Sequence, residues 1–288
     1  MKIIENEIRE YVQEPGIDGM YKAVRDAAAI CYQTDTEKMK LNPKDFVEQV
    51  LLKNGHTRPL EFGTVYLKMN IKDSFLKYTL CDFNDFQRGD DYYYITTNLR
   101  VIAQGDYETD EDAFENGYDK NWFEDLKYWC EPTEKHFTRR TFNIICSRGA
   151  GDDFRTHITL SSMMESTRYC NYSKGKFGNE LTFIRPYWIP QETVNEYFKF
   201  RNDDERIAGG PDVEFLYSLQ NEEYEYMHHA QREGIQAQRL KRLYPLAGKC
   251  ELRLCGFNNA WQNFFWRRCD EHADPECQKV AGMIRDLY

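Results

Sequence analysis

The sequence lacks any run of about 18 apolar residues, so we expect no helix that crosses a membrane. It also lacks an excess of positive charge, since 38 basic residues against 48 acidic ones give a formal net charge of −10. A strongly acidic chain is poorly suited to electrostatic binding, and we expect no nucleic acid polymer and no membrane as partners. The first residues, MKIIE, precede no apolar stretch, and we expect no signal peptide and a cytoplasmic location.

The common catalytic motifs are absent as well. The sequence contains no glycine-rich phosphate loop, no Gly-x-Ser-x-Gly motif and no His-Glu-x-x-His motif. Its nine cysteines are scattered without the pattern of a small disulfide scaffold. This distribution is typical of reduced, mostly buried thiols.

Two groups of residues carry side chains that can bind metals. The first group consists of Cys250, Cys255, Cys269 and His272. Its irregular spacing favours ordinary core cysteines over a zinc site, and we expect no metal. The second group, His228 and His229, is interpreted as surface histidines, because residues adjacent in sequence do not share a helix face.

The chain has 288 residues, 41% of them hydrophobic, and we expect one domain over residues 1–288. Alternating or aromatic stretches predict strands at Gly63–Ile71, Tyr92–Ala103, Thr141–Cys146 and Lys249–Phe257. Helical spacing predicts helices at Asp18–Cys31, Asp45–Asn54, Asp153–Tyr172, Val213–Glu233, Asn258–His272 and Pro275–Leu287. Polar or glycine-rich stretches predict loops at Asp82–Asp91, Gly105–Asn121 and Arg201–Asp212. Strands and helices do not alternate regularly, which indicates the α+β class.

The stretch from Asp153 to Lys174 is the densest in groups suited to chemistry. As a helix, it places the imidazole of His157, the hydroxyl of Ser161 and the guanidinium of Arg168 on one face. Hydroxyls and a planar guanidinium suit a phosphate or a carboxylate ligand. The residues alone leave a solvated helix open as the alternative.

This stretch resembles the signature helix of the flavin-dependent thymidylate synthases, which reads Arg-His-Arg, two residues, Ser, and then Ser-x-Arg-Tyr. The matching residues here are Thr156-His157-Ile158, Ser161 and Ser166-Thr167-Arg168-Tyr169. Other blocks agree in order. They are Gly55–Glu61, Tyr94–Asn98, Pro245, Glu251 and Phe264–Arg268.

The resemblance implies an α+β fold with a mixed sheet flanked by helices, assembled as a homotetramer. It also implies conversion of dUMP to dTMP with FAD, NADPH and methylenetetrahydrofolate, at sites between subunits. In that family the flavin carries the chemistry, while the protein orients the flavin and stabilises charge on the pyrimidine.

On the substrate side, Ser166 and Arg168 match positions that hold the dUMP phosphate, with Tyr169 beside them. Arg268 matches a catalytic arginine that would stabilise negative charge on the pyrimidine ring. Lys241 stands where the family has another substrate-binding arginine, so the charge is kept and the bidentate fork is lost.

On the cofactor side, the residues that match flavin contacts are His157, Asn263 and Thr64. The two arginines expected beside the signature histidine are Thr156 and Ile158, and the histidine expected after Glu61 is Phe62. Two lost guanidiniums remove charge-assisted bonds worth about 1.5–3 kcal/mol each, which together correspond to about a hundredfold or more in affinity. The sequence therefore predicts weak flavin binding or another way of holding the flavin.

Three functions remain open at this stage. The first is a flavin-dependent thymidylate synthase, or a relative that modifies C5 of another pyrimidine nucleotide. The second is a catalytically silent paralogue that keeps the fold and a nucleotide pocket for binding or regulation. The third is a structural member of a larger assembly.

Overall fold

The computed structural model describes residues 1–73, 78, 83–104, 123–201 and 210–288. The predicted loop Gly105–Asn121 lies outside the described residues, as do residues 202–209 of the predicted loop Arg201–Asp212. Within these ranges, no helix combines the length and the apolar character needed to cross a bilayer.

The described residues form strands and helices that we number in chain order. The strands are β1 (Lys2–Ile4), β2 (Glu7–Glu10), β3 (Thr64–Asn70), β4 (Asp85–Arg88), β5 (Tyr92–Asn98), β6 (Arg139–Ser147), β7 (Ser161–Met164), β8 (Thr182–Ile184) and β9 (Lys249–Phe257). The helices are α1 (Gly16–Tyr32), α2 (Pro43–Phe46), α3 (Leu99–Gln104), α4 (Arg148–Phe154), α5 (Gln191–Phe200), α6 (Gly210–Met227), α7 (Ala237–Leu240), α8 (Asn258–Arg268) and α9 (Pro275–Leu287).

The strands are divided among three sheets. A four-stranded antiparallel sheet has the order β2-β6-β9-β7, and a three-stranded antiparallel sheet has the order β3-β5-β4. The third sheet is the parallel pair β1-β8. In the ranges that the structure describes, helices pack around mainly antiparallel sheets without regular βαβ units, so the α+β prediction is confirmed.

The clearest sequence patterns gave correct elements. The predicted strand Gly63–Ile71 is β3, in which Val65, Leu67 and Met69 are buried in alternation. The predicted strand Lys249–Phe257 and the predicted helix Pro275–Leu287 coincide with β9 and α9.

Two predictions around β5 are wrong. The predicted strand Tyr92–Ala103 ends at Asn98, whose side-chain oxygen accepts hydrogen bonds from the backbone N–H groups of Arg100 and Val101 and so begins α3. The predicted loop Asp82–Asp91 contains β4, which pairs with β5 at the sheet edge. β4 is mostly exposed and therefore carries no hydrophobic alternation.

Other helix boundaries also differ. Residues Gly210–Asp212, predicted as loop, already belong to α6. The predicted helix Asn258–His272 ends at Arg268, because the Asp270 carboxylate accepts a hydrogen bond from the N–H of His272 in a turn. The predicted helix Asp45–Asn54 is the short α2 followed by a π-helical turn, Val47–Leu52.

The core that supports the candidate site lies between the four-stranded sheet and helices α8 and α9. Phe142 of β6 contacts Trp261 of α8 edge to face, with ring centroids 5.1 Å apart. Leu252 and Leu254 of β9 are fully buried beside them. This packing fixes β9 and thereby its neighbour β7.

Candidate functional site

The segment predicted as the helix Asp153–Tyr172 has a different structure. α4 begins earlier, where the Ser147 hydroxyl accepts a hydrogen bond from the N–H of Ala150, and it ends at Phe154. The chain then forms β7, which pairs with β9, and turns at Ser166. The helix prediction is wrong because all four residues of β7 are buried, so the strand shows no alternation that could distinguish it from a helix.

α4 and the turn after β7 are held close to the sheet. A Cβ atom at Gly151 of α4 would lie 3.1 Å from the sulfur of Met164, so the helix approaches β7 closely there. The backbone N–H of Ser166 donates to the carbonyl of Cys31 at the end of α1, at 3.1 Å. The turn after β7 is therefore fixed between two helices.

A cavity of about 550 Å³ opens at the C-terminal end of β7, and we call it the arginine cavity. Its cationic side chains are Arg58, Arg148, Arg155, Arg168, Lys241 and Arg242. Its carboxylates are Asp152 and Glu165, and Ser166 and Met164 also line it. The lining carries more positive than negative groups, which suits an anionic ligand.

Acidic side chains compensate only part of this charge. Asp152 lies 3.2 Å from Arg148 and 3.4 Å from Arg155, which share it. Within the described parts of the chain, no ion pair engages Arg168, Lys241 or Arg242. These three cations can therefore face a ligand.

Two of the arginines are positioned by the strand and the turn. The Nε of Arg58 donates to the carbonyl of Ser162 at 3.1 Å, and its Nη2 donates to the hydroxyl of the same residue at 3.1 Å. The Nη1 of Arg148 donates to the carbonyl of Glu165 at 3.1 Å. Guanidiniums held in this way present charge in a fixed direction.

Beneath the arginine cavity lies a buried network centred on Glu165. Its carboxylate contacts the ammonium of Lys249 at 2.8 Å and accepts from the Tyr172 hydroxyl at 2.8 Å and from the N–H of Glu251 at 3.1 Å. Burial lowers the pKa of Lys249, but Glu165 outweighs burial and raises it. Burial and the nearby Glu165 carboxylate raise the pKa of Tyr172. The carboxylate is thus satisfied by the protein itself.

Three of the four predicted substrate-side residues line the arginine cavity, namely Ser166, Arg168 and Lys241. Tyr169 lies next to it, half exposed, and its ring stacks on that of Tyr32 with centroids 4.6 Å apart. The Arg168 guanidinium is 5.6 Å from the centroid of the Tyr169 ring.

A second cavity, of about 760 Å³, opens at the other end of β7, and we call it the histidine cavity. It is lined by Thr156, His157, Ile158, Thr159, Asn263, Trp266, Arg267, Arg268, Asp270, His272 and Ala273. It therefore contains three of the predicted site residues, His157, Asn263 and Arg268. Ile158 and Trp266 expose 83% and 72% of their surfaces, so apolar side chains border this cavity without filling it.

Arg268 is held by its own chain. Its Nε donates to Nε2 of His157 at 2.9 Å. Its Nη2 donates to the carbonyl of Asp153 at 2.6 Å and to the hydroxyl of Thr156 at 2.9 Å. Thr156, which replaces the expected arginine, thus serves as an acceptor for Arg268.

His157 is a neutral acceptor in this arrangement. Burial, followed by the positive charges of Arg268 and Arg267, lowers its pKa from 6.5 to about 4. A neutral imidazole with an unprotonated Nε2 can accept the bond from Arg268 at physiological pH.

We expect His157→Gln to make the folded protein less sensitive to acid. Between pH 6.5 and about 4 the unfolded chain binds a proton at His157 that the folded chain does not bind. In the parent protein the free energy of unfolding therefore decreases as the pH falls through this window, and the variant lacks this contribution. Urea unfolding at about pH 7 and about pH 4.5 measures the difference.

His272→Gln is the matched control, because its imidazole is 84% exposed. It should lose stability with falling pH as steeply as the parent protein. Equal slopes for the parent protein and His157→Gln would contradict the prediction.

A single chain does not bring Arg268 to Ser166 and Arg168. The two sets lie at opposite ends of β7, whose four residues span about 13 Å at about 3.3 Å per residue. The predicted substrate-binding and catalytic residues therefore line separate cavities of one chain.

Two positions from the cofactor-side prediction lie in the core. Thr64 is 6% exposed, and its hydroxyl accepts from Nη1 of Arg139 at 3.2 Å, so it lines neither cavity. Phe62, in place of the expected histidine, packs against Ile30 and Met163. Phe62 thus leaves the histidine cavity open.

Sequence reasoning assigned no role to four arginines that line the arginine cavity. They are Arg58, Arg148, Arg155 and Arg242. Arg58 stood in a quoted block, but nothing in the local sequence indicated that these arginines converge.

The group Cys250, Cys255, Cys269 and His272 is not brought together as a metal site in the described residues. Cys250 and Cys255 are buried on β9, and His272 is exposed. Burial raises the pKa of the Cys250 thiol to about 12.

Comparison with known proteins gives one family and a set of structures. Residues 132–288, more than half of the chain, match the sequence profile described as Thy1, thymidylate synthase complementing protein. No curated protein matches the sequence significantly.

Two similar solved structures come from Helicobacter pylori. One is thymidylate synthase X with FAD and dUMP, with 13% identity and a TM-score of 0.41, covering 98% of this chain and 93% of that one. The other is the flavin-dependent thymidylate synthase complexed with FAD and dUMP, with 14% identity and a TM-score of 0.40, covering 99% and 94%.

Proposed function

Because the chain belongs to the thymidylate synthase complementing protein family, we propose that it is a flavin-dependent enzyme that converts dUMP to dTMP. One observation carries this proposal. The arginine cavity gathers Ser166, Arg168 and Lys241, three positions that the family resemblance assigns to the nucleotide, from distant parts of the chain.

In this proposal the dUMP phosphate binds to the Ser166 hydroxyl and the Arg168 guanidinium. Lys241 adds charge without a bidentate fork. Arg58 and Arg148, fixed by their contacts to β7 and the following turn, add further positive charge. The carboxylate of Glu165 does not repel the phosphate strongly, because Lys249 neutralises it.

The residues of the histidine cavity fit a flavin dinucleotide. Arg267 supplies a guanidinium for a diphosphate, although the arginines expected at positions 156 and 158 are missing. The exposed Trp266 and Ile158 offer apolar surface for a ring system. When bound there, FAD would supply the redox chemistry, with methylenetetrahydrofolate as the carbon donor and NADPH as the reductant.

The proposal also requires an assembly. Arg268 is assigned to the pyrimidine ring, yet it lies at the opposite end of β7 from Arg168. In a homotetramer, the histidine cavity of one subunit would face the arginine cavity of another and complete the site. We place this enzyme in the cytoplasm, where thiols such as that of Cys250 stay reduced.

A second candidate is a nucleotide-binding paralogue without catalysis. The replacement of two arginines by Thr156 and Ile158 favours it. Thr156 also accepts a hydrogen bond from Arg268 and so keeps that guanidinium within its own chain.

Flavin binding and turnover test the proposal. We expect the purified protein to show bound-flavin absorption bands after FAD is added. We also expect oxidation of NADPH that depends on both dUMP and methylenetetrahydrofolate. Omission of dUMP is the control for flavin-dependent oxidation that is unrelated to the substrate.

The outcomes separate the candidates. Binding of dUMP without uptake of FAD would contradict the enzyme and support the silent paralogue. Absence of both dUMP and FAD binding would overturn both candidates.

A further inference from the structure

Two neighbouring histidines meet one glutamate at the end of α6, away from both cavities. After Met227 the helix continues as a π-helical turn, His228–Arg232, and Glu233 follows it directly. Sequence analysis interpreted His228 and His229 as surface histidines that do not share a helix face. Both side chains are about a third exposed, and their ring centroids lie 5.5 Å apart.

The donor atoms of the three side chains converge. The Nδ1 of His229 lies 2.7 Å from Oε2 of Glu233, and the Nδ1 of His228 lies 3.9 Å from Oε1 of the same carboxylate. One ligand atom from each residue can be chosen so that all three atoms lie within 4.8 Å of one another.

The helix geometry explains this convergence. An α-helix advances about 100° per residue, so His228 would lie about 140° from Glu233 around the axis. A π-helical turn of about 4.4 residues advances about 82° per residue, which places His228 and His229 about 50° and 32° on either side of Glu233. The wide turn therefore directs both imidazoles toward one carboxylate.

Two further features adjoin the cluster. Gly234 has a φ of +67°, which a residue with a side chain rarely adopts, and it ends the helix directly after Glu233. The Nε2 of His229 lies 3.9 Å from Oε2 of Glu225, on the side away from Glu233. A carboxylate facing the second nitrogen of an imidazole is the usual partner of a histidine that binds a metal.

We propose that His228, His229 and Glu233 bind a divalent transition metal ion such as Zn²⁺, with Glu225 orienting His229. Two imidazole nitrogens and a carboxylate are ligands that Zn²⁺, Co²⁺ and Ni²⁺ prefer, whereas Mg²⁺ and Ca²⁺ prefer oxygen alone. The imidazoles are 32% and 31% exposed, so an ion has access and water can complete its coordination.

The position of this cluster suggests what the ion would do. The N–H of Ile235 donates to the carbonyl of His229 at 3.1 Å, and α7 follows, leading directly into Lys241 and Arg242 of the arginine cavity. An ion bound at the cluster would restrain the N-terminal end of the segment that connects Glu233 to Lys241 and Arg242. The site itself does not depend on the proposed enzymatic activity.

Zn²⁺ titration calorimetry on the full chain, prepared without a polyhistidine tag, tests the proposal. We expect one strong site per chain and an affinity at least about a hundredfold lower in His228→Ala and His229→Ala. Glu225→Gln should lower it about tenfold, the effect typical of a group that orients a ligand. Co²⁺ should give visible absorption without the intense near-ultraviolet band of thiolate ligands.

His272→Ala is the matched control, because His272 contacts the Asp270 carboxylate at 2.9 Å and belongs to no cluster of three metal-binding side chains in the described residues. It should bind Zn²⁺ as the parent protein does. Circular dichroism of the metal-free variants verifies that they fold, and Glu233→Gln provides a second, milder change. Equal Zn²⁺ affinity in the parent protein and in His228→Ala/His229→Ala would overturn the proposal, as would thiolate absorption in the Co²⁺ complex.

Discussion

Arg168→Ala should lower the affinity of the protein for dUMP by about a hundredfold or more. The guanidinium of Arg168 lines the arginine cavity and is engaged by no ion pair in the described parts of the chain. Its charge is therefore available to a phosphate. Two charge-assisted hydrogen bonds of about 1.5–3 kcal/mol each account for the expected loss.

Isothermal titration calorimetry at fixed ionic strength measures this effect, because salt screens the attraction. Arg168→Lys keeps the charge and loses the fork, and we expect it to lose about tenfold. Arg9→Ala is the control, since Arg9 is 76% exposed and lines neither cavity. An unchanged dissociation constant in Arg168→Ala would contradict binding of the phosphate in the arginine cavity.

Glu165→Gln should lower the free energy of unfolding by about 3 kcal/mol. Glu165 is 2% exposed and its partner Lys249 is 17% exposed, so the substitution leaves a largely buried ammonium without a counter-charge. The new amide nitrogen would also face a donor in either orientation, because Tyr172 donates to Oε1 while Lys249 and Glu251 donate to Oε2. Urea unfolding near neutral pH measures the loss.

An exposed ion pair of the same chain gives the matched control. Glu124 contacts Lys127 at 2.9 Å, and both side chains are more than half exposed. Glu124→Gln should therefore cost only a small fraction of the loss expected for Glu165→Gln. Equal losses in Glu165→Gln and Glu124→Gln would contradict the larger effect expected for the buried pair.

A double-mutant cycle separates the pair from its surroundings. Lys249→Met in the Glu165→Gln background removes the ammonium that has lost its counter-charge. We expect the double variant to be more stable than the sum of the two single losses predicts. Strict additivity would mean that Glu165 acts through Tyr172 and Glu251 and not through Lys249.

Two elements that the sequence predicted, β3 and α9, each have one face that is more buried than the other. β3 alternates strictly, and α9 begins at Pro275 after an aspartate that caps it. β7 is buried throughout, and β4 is nearly all exposed, so neither carries a period that local reasoning could detect.

The residues of the candidate site could be predicted only from the family resemblance. Ser166 and Lys241 are separated by more than seventy positions in the chain and meet through the packing around β9. The approach of Arg58 and Arg155 to the same cavity depends on the same tertiary contacts, which no local pattern encodes. The separation of Arg268 from Arg168 likewise follows from β7 being a strand rather than part of a helix.

The hydrogen bonds of Arg268 decide how it can act on a substrate. Nε and Nη2 form one edge of the guanidinium, and His157, Thr156 and the Asp153 carbonyl occupy that edge. In the described residues no hydrogen bond engages Nη1, which lies 4.0 Å from Oδ2 of Asp153, so Arg268 can meet a substrate through this one nitrogen and not as a bidentate clamp. Fixing the rotamer of an arginine costs about 2 kcal/mol of entropy, and this cost is incurred when the chain folds. A base that docks against Nη1 therefore requires no further ordering of this side chain.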